Sequence, residues 1–230
     1  MSIYACSDLH GNWDIYKHIL SILKPEDTLY FLGDAADRGK DGFAIILDML
    51  SKKDQIKYIK GNHEDMLVKA LKAEIAIREG QDGLNRDMYE DICLLFANGG
   101  ECTFSSIMET KSIDYIKDFI KILDNLPTQL EYTNENGVKI VMTHSGDLNN
   151  PLWDRTHYLK HEEIPDNEIH LHGHTPIPHM FQCGKNSEAP FFYNENQKIN
   201  IDCGTHFTNT TILLNLNTFE VIKITAKGNS

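Results

Sequence analysis

Short apolar runs that end in polar, glycine-containing loops set the rhythm of the first third of the chain. Ile3 to Ser7 is the first run. Asn12 then opens a helical pattern with Ile15, Tyr16, Ile19, Leu20 and Leu23 on one face, and Pro25 ends it. Thr28 to Leu32 is the second run; it leads into Gly33-Asp34, and a helix is predicted from about Gly42 to Leu50. Ile56 to Ile59 is the third, leading into Gly61-Asn62-His63, with a long helical stretch from about Glu64. Strand, loop and helix in repetition predict parallel strands with helices packed on the sheet. Sites in such sheets form at the carboxyl ends of the strands, where the polar loops fall.

From about Glu64 to Leu126 the pattern is mostly helical, broken at Asn98-Gly99-Gly100. Ile113, Ile116, Ile120 and Leu123 mark a late amphipathic face, and Pro127 closes the block. Strands dominate afterwards. Val138 to Met142 leads into His144-Ser145-Gly146, and Ile169 to Leu171 leads into His172-Gly173-His174-Thr175. Ile199 to Asp202, Thr210 to Leu216 and Phe219 to Thr225 follow, the last two reading as an antiparallel hairpin around Asn217-Thr218. The whole pattern predicts an α/β or α+β fold, two packed mixed β-sheets flanked by helices. A mostly helical block spans about 64–126, and no linker-like composition divides residues 1–230, so one domain is expected.

Composition narrows the class. A hydrophobic fraction of 41% and a charged fraction of 24% are those of an ordinary globular protein, with disorder expected only at Lys227-Gly228-Asn229-Ser230. A formal charge of −12 argues against nucleic acid or an anionic membrane as partner, although a local metal cluster can invert the field at one site. Cys6, Cys93, Cys102, Cys183 and Cys203 form no C-x-x-C pair, which fits a reducing cytoplasm better than a disulfide framework. Asp8 precedes any signal-peptide core, and no run approaches the length of a membrane span. A cytoplasmic location is the expectation.

The chemistry lies in the loops. Asp8-Leu9-His10-Gly11, Gly33-Asp34-Ala35-Ala36-Asp37-Arg38-Gly39, Gly61-Asn62-His63-Glu64, His144-Ser145-Gly146 and Gly173-His174-Thr175 each follow a predicted strand. Together they supply carboxylate, amide oxygen and imidazole, which are metal-ligating groups. A single Asp after a strand is commonly a turn residue or helix cap. It is the recurrence in five loops that points to a shared metal site. Arginine is rare in a lysine-rich chain, with only Arg38, Arg78, Arg86 and Arg155, and two of these fall beside the loops.

These loops resemble the phosphoprotein phosphatase branch of the metallophosphoesterase superfamily, in particular its bacterial and phage-type serine/threonine phosphatases. Asn98-Gly99-Gly100, Leu152-Trp153-Asp154-Arg155 and Ile201-Asp202-Cys203-Gly204 extend the resemblance along nearly the whole chain. It implies a calcineurin-like sandwich and a dinuclear centre. In it Asp8 and His10 bind one metal, Asp34 bridges, and Asn62, His144 and His174 bind the second. It further implies an Asp37–His63 dyad, and phosphate binding by Arg38 and Arg155 with Asn62 as an added donor. A metal-bridging hydroxide would attack phosphorus directly, and His63 would protonate the leaving oxygen. Manganese is the expected metal, with iron or zinc as alternatives. Phosphoserine or phosphothreonine in proteins is the expected substrate, with phosphotyrosine also accepted.

The chain departs from that pattern at Ser7, where Gly is frequent, and at Cys203, where Thr is usual; Cys203 reads as a small buried residue. His172 reads as a strand-face residue, and His18, His157, His161, His170, His179 and His206 as structural. Symmetrical diadenosine tetraphosphate hydrolases share most of these loops, and they or another phosphoesterase of small nucleotides are the alternative reading. Their position matching Asp37 is usually not acidic, and Asp stands where this chain has Glu64. A non-catalytic phosphate-binding scaffold is the reading from another class, and it would be expected to have lost ligands. Oligomeric state is not legible.

Overall fold

The computed structural model describes residues 1–80, 86–159, 161–180 and 189–226. The 227–230 tail, Cys183 and the His157 side chain lie outside the described residues.

Alternation along β1 (Ile3–Cys6) assigns its residues to two layers. Ile3 and Ala5 join one apolar cluster, while Tyr4 and Cys6 face another. The helix α1 (Trp13–Ile22) begins where the Asn12 side chain accepts the N–H of Ile15 at 3.1 Å. It buries Ile15, Tyr16 and Ile19 on one face. β2 (Thr28–Phe31), α2 (Gly42–Ser51), β3 (Ile56–Tyr58) and α3 (Asn62–Arg78) complete the repeated unit. β1, β2 and β3 pair in parallel, as the strand–loop–helix rhythm requires.

The helical block consists of α3, α4 (Arg86–Ala97), α5 (Glu101–Thr110) and α6 (Ile113–Asp124). The expected break at Asn98-Gly99-Gly100 separates α4 from α5. Ser112 caps α6 through the N–H of Tyr115, and Ile116, Phe119, Ile120 and Leu123 are its buried face. Each such side chain contributes about 1.5–3 kcal/mol of gross burial, so truncating Phe119 to alanine would cost about 3–5 kcal/mol.

The second half supplies β4 (Gln129–Thr133), β5 (Lys139–Thr143), β6 (Glu168–His172), β7 (Phe191–Tyr193), β8 (Lys198–Asn200), a short α7 (Thr205–Thr208), β9 (Thr210–Asn215) and β10 (Val221–Thr225). One sheet has the order β10-β9-β1-β2-β3 and the other β4-β5-β6-β8-β7. Both mix parallel and antiparallel pairs. The β9–β10 hairpin forms as expected, but Phe219 sits in its turn at φ 58° and does not start the strand. β4 and β7 are additions to the sequence reading. Both are edge strands, and neither has a fully buried face to mark it.

Ile3, Ala5, Ile212 and Leu214 of the first sheet meet Ile140, Met142, Leu171 and Ile199 of the second. Cys203 belongs to this inter-sheet layer and is buried. The helices pack on the opposite face of the first sheet, around Phe31, Ile45, Leu67 and Phe119. Thus two sheets form a sandwich flanked by helices. No described helix is long and apolar enough to cross a membrane.

Candidate metal centre

β1, β2, β3, β5, β6 and β8 all end at the same edge of the sandwich, and each delivers a polar side chain just past its last residue. These are Asp8, Asp34, Asn62, His144, His174 and Asp202. All are nearly inaccessible to solvent. Backbone bonds stitch the loops together: Asp8 N–H to Gly33 O at 3.0 Å, His10 N–H to Asp34 O at 3.0 Å, and Gly173 N–H to His144 O at 2.9 Å. Asp8, His10, Asp34, Asp37, Arg38 and His174 adopt left-handed φ values between 45° and 68°. Each such residue costs of order 1–3 kcal/mol and persists only where its surroundings hold it.

The proposed ligand atoms converge. Asn62 Oδ1 lies 2.9 Å from both His144 Nε2 and His174 Nδ1, and those two nitrogens are 3.1 Å apart. Asp34 Oδ2 is 3.4 Å from His144 Nε2 and 3.8 Å from His10 Nε2. Donors about 2.1 Å from one ion stand about 3 Å apart at right-angle positions, so these spacings suit a shared cation. Two clusters of groups that could hold an ion emerge, His10–Asp34–His63 and Asp34–His144–His174, with Asp34 common to both; the first takes in His63, not the expected ligand Asp8.

Further observations point to cations. Asp8 Oδ1 is buried with no hydrogen-bond partner, and it lies 4.0 Å from His10 Nε2. The second nitrogen of two imidazoles is committed to a backbone carbonyl, His10 Nδ1 to Ala36 O at 3.1 Å and His144 Nδ1 to Leu32 O at 2.6 Å. That leaves Nε2 of each facing the cluster. Burial raises the Asp8 carboxyl to about 6, against the pull of His144. Burial disfavours the His144 cation, yet Asp34 and Asp8 raise its pKa to about 10. Burial and the neighbouring His144 and Arg155 charges push His174 down to about 2. Carboxylate, amide and imidazole groups at these spacings fit a pair of divalent ions.

Around these residues lie the groups that would act on a substrate. His63 Nδ1 is 2.8 Å from Asp37 Oδ2, and both residues are buried. Burial works against the His63 cation, but Asp34 and the Asp37 hydrogen bond hold its pKa above the usual value. Arg38 Nη2 lies 3.2 Å from His63 Nε2 and Nη1 lies 3.0 Å from His10 Nε2. Arg155 is exposed, and it acts on the centre through its charge on His174.

Several residues here have roles that the sequence does not assign. Glu64 is fully buried and accepts the N–H groups of Asp34, Ala35, Ala36 and Gly61. Its place three residues after Gly61, the capping-box spacing, was the available signal. Thr103 Oγ1 accepts the Asp37 N–H at 3.1 Å, and Gly99 O accepts the Arg38 N–H at 2.7 Å, so α5 and the α4–α5 junction support the Asp37-Arg38 loop. Burial and the nearby Asp8 charge hold the Asp202 carboxyl well above the usual range. His206, read as structural, places Nδ1 3.0 Å from Arg38 Nη1 and belongs to the rim of the centre. His172 does fill a strand face, with Nε2 2.7 Å from the Tyr193 hydroxyl.

A family model described as calcineurin-like phosphoesterase matches residues 1–178. The symmetrical bis(5'-nucleosyl)-tetraphosphatase of Buchnera aphidicola subsp. Schizaphis graminum is 27% identical over 165 residues, covering 67% of this chain and 47% of that protein. The chain spans about half the length of the curated relatives it matches. The metallophosphoesterase of Sphaerobacter thermophilus shares the fold, with a TM-score of 0.59 at 13% identity over 99% of this chain and 89% of that one. So does a cold-active protein-tyrosine phosphatase of a Shewanella species, with a TM-score of 0.57 at 15% identity over 96% of this chain and 77% of that one.

Proposed function

The chain belongs to the calcineurin-like phosphoesterase family, and on that premise we propose that it hydrolyses phosphate monoesters, with phosphoserine and phosphothreonine of proteins as its first substrates and phosphotyrosine also accepted. Asp8 and His10 would hold one divalent ion, Asp34 both, and Asn62, His144 and His174 the other. Manganese is the first choice of metal. Such a pair supplies Lewis acidity that activates water and neutralises phosphoryl oxygens.

The protein's own groups do the rest. The Arg38 guanidinium, which lies within 3.2 Å of the imidazoles of His10, His63 and His206, is a cation suited to an incoming phosphoryl group. Arg155 adds positive charge at the same edge. His63 presents Nε2 toward the centre while Asp37 fixes Nδ1–H, so the ring can give its Nε2 proton to the departing alkoxide. A group of this kind contributes about 10²–10⁴ to the rate. The buried Asp37–His63 contact at 2.8 Å is the observation that carries the monoester reading, because a poor alkoxide leaving group requires an acid.

A second reading is favoured by the relatives, which are named as symmetrical bis(5'-nucleosyl)-tetraphosphatases. A seated Asp37–His63 pair and Glu64 weigh toward monoesters. The test is a rate comparison on one manganese-loaded preparation of a phosphoserine peptide, an aryl phosphate and diadenosine tetraphosphate. The monoester reading expects both monoesters to be cleaved with the larger kcat/KM. Diadenosine tetraphosphate cleaved tenfold faster would replace it with the second reading. No turnover with manganese, iron or zinc would leave a phosphate-binding scaffold.

A further inference from the structure

A row of aromatic rings leads from the centre to the surface. Ring centroids are 4.7 Å apart for His63–His10, 5.3 Å for His10–His206, 4.6 Å for His206–Phe207 and 5.0 Å for Phe207–His179. The inner two rings are buried, whereas His206 is exposed and Phe207 is 44% exposed. Beside the row opens a cavity of about 450 Å³, with His10 and Arg38 at the metal centre and Trp13, Lys40, His206 and Asn209 among its other lining residues. Trp13 is half-buried, its ring 5.6 Å from Tyr16. Cavities of this size hold small organic groups.

Polar groups alone would suffice to bind phosphate. Trp13 and His206 both line the cavity, and the exposed Phe207 ring packs edge-on against His206, so the cavity offers stacking partners for something flat. A phosphate held by Arg38 would have its leaving group at the inner end of this cavity, because Arg38 and His10 belong to both.

We propose that this cavity is a leaving-group subsite that receives a planar aromatic ring attached to the scissile phosphate, packing it against Trp13 and His206. The proposal rests on the phosphoesterase reading of the centre. Seryl and threonyl leaving groups are too short to use the subsite, so it widens the substrate range without being needed for them. A tyrosyl ring and a nucleobase share the chemistry that would be recognised.

The test uses phenylphosphonate and methylphosphonate, which cannot be hydrolysed, titrated calorimetrically into manganese-loaded protein. Stacking of one ring predicts about tenfold tighter binding of phenylphosphonate. That preference should shrink toward unity in Trp13→Leu and in His206→Ala; His206 is itself exposed, so the second variant keeps the test decisive if the first fails to fold. Equal affinity for the two phosphonates, binding of neither, or a preference that survives both substitutions would overturn the proposal. The same variants assign the ring through kcat/KM relative to a phosphoserine peptide. A loss confined to a phosphotyrosine peptide assigns a tyrosyl group, and a loss confined to diadenosine tetraphosphate assigns a nucleobase. A phenylphosphonate preference in a protein that hydrolyses no ester would keep the subsite and remove the phosphatase reading.

Discussion

Glu64 accepts the backbone N–H of Asp34 at 2.9 Å, reaching back from the first turn of α3 to a loop 30 residues earlier. The same carboxylate takes Ala35, Ala36 and Gly61, and so fixes the turn that presents Asp34 and Asp37. Glu64→Gln turns one acceptor oxygen into a donor facing backbone donors. The expected result is a loss of about 2–4 kcal/mol of stability, measured by urea unfolding, because buried N–H groups lose their partner. An unfolding curve unchanged from the parent would show that the clamp is dispensable.

Asp34 and His63 lie 3.8 Å apart, yet their substitutions should separate. Asp34→Asn is expected to lower metal content and abolish turnover, since the Asp34 carboxylate is the one group common to both clusters. His63→Asn is expected to leave metal content nearly intact while turnover falls by about 10²–10⁴. Elemental analysis showing equal metal loss would assign His63 to the ligands.

Gly173 sits so close to Asp8 that an added Cβ would overlap Asp8 Oδ2 and crowd Ser7 Oγ. Gly173→Ala should therefore displace the Asp8 carboxylate and weaken one metal site more than the other. Stepwise metal titration should show one affinity reduced by tenfold or more. Two unchanged affinities would mean that the loop yields instead.

Far from the centre, Asp27 ties the chain start to the end of α1 by accepting Ser2 N–H at 2.7 Å and Lys24 N–H at 3.0 Å. Burial alone would raise its carboxyl, but those two bonds outweigh it and lower the pKa. A depressed folded pKa means stability that is present above the unfolded carboxylate value of about 3.9 and lost as pH falls through the folded one. Asp27→Ala should cost about 1–2 kcal/mol at pH 7. The gap between parent and variant should close in acid, and thermal unfolding across pH 2–7 would reveal a gap that persists.

The strand ends that carry Asp8, Asp34, Asn62, His144 and His174 were legible because each apolar run stops abruptly at a polar loop, a pattern that survives without any knowledge of neighbours. The clamping role of Glu64 was not, because three of the four backbone groups it holds are brought to it from another loop. His206 had no run or motif around it; only the packing of α7 beside Arg38 gives it a place. β4 escaped for a related reason. Its residues alternate between exposed and half-buried, so no apolar periodicity announces a strand whose existence depends on pairing with β5.

The left-handed backbone at Asp8, His10, Asp34, Asp37, Arg38 and His174 has a consequence for how this centre could be reproduced. None of these loops would hold its shape as a peptide, since local preference runs against it and only cross-loop bonds restrain it. The centre behaves like an arch, in which the stones stand because they lean on one another. Grafting the ligand loops onto another scaffold would therefore transfer the residue types without the shape, unless the strand spacing and the Glu64 keystone went with them.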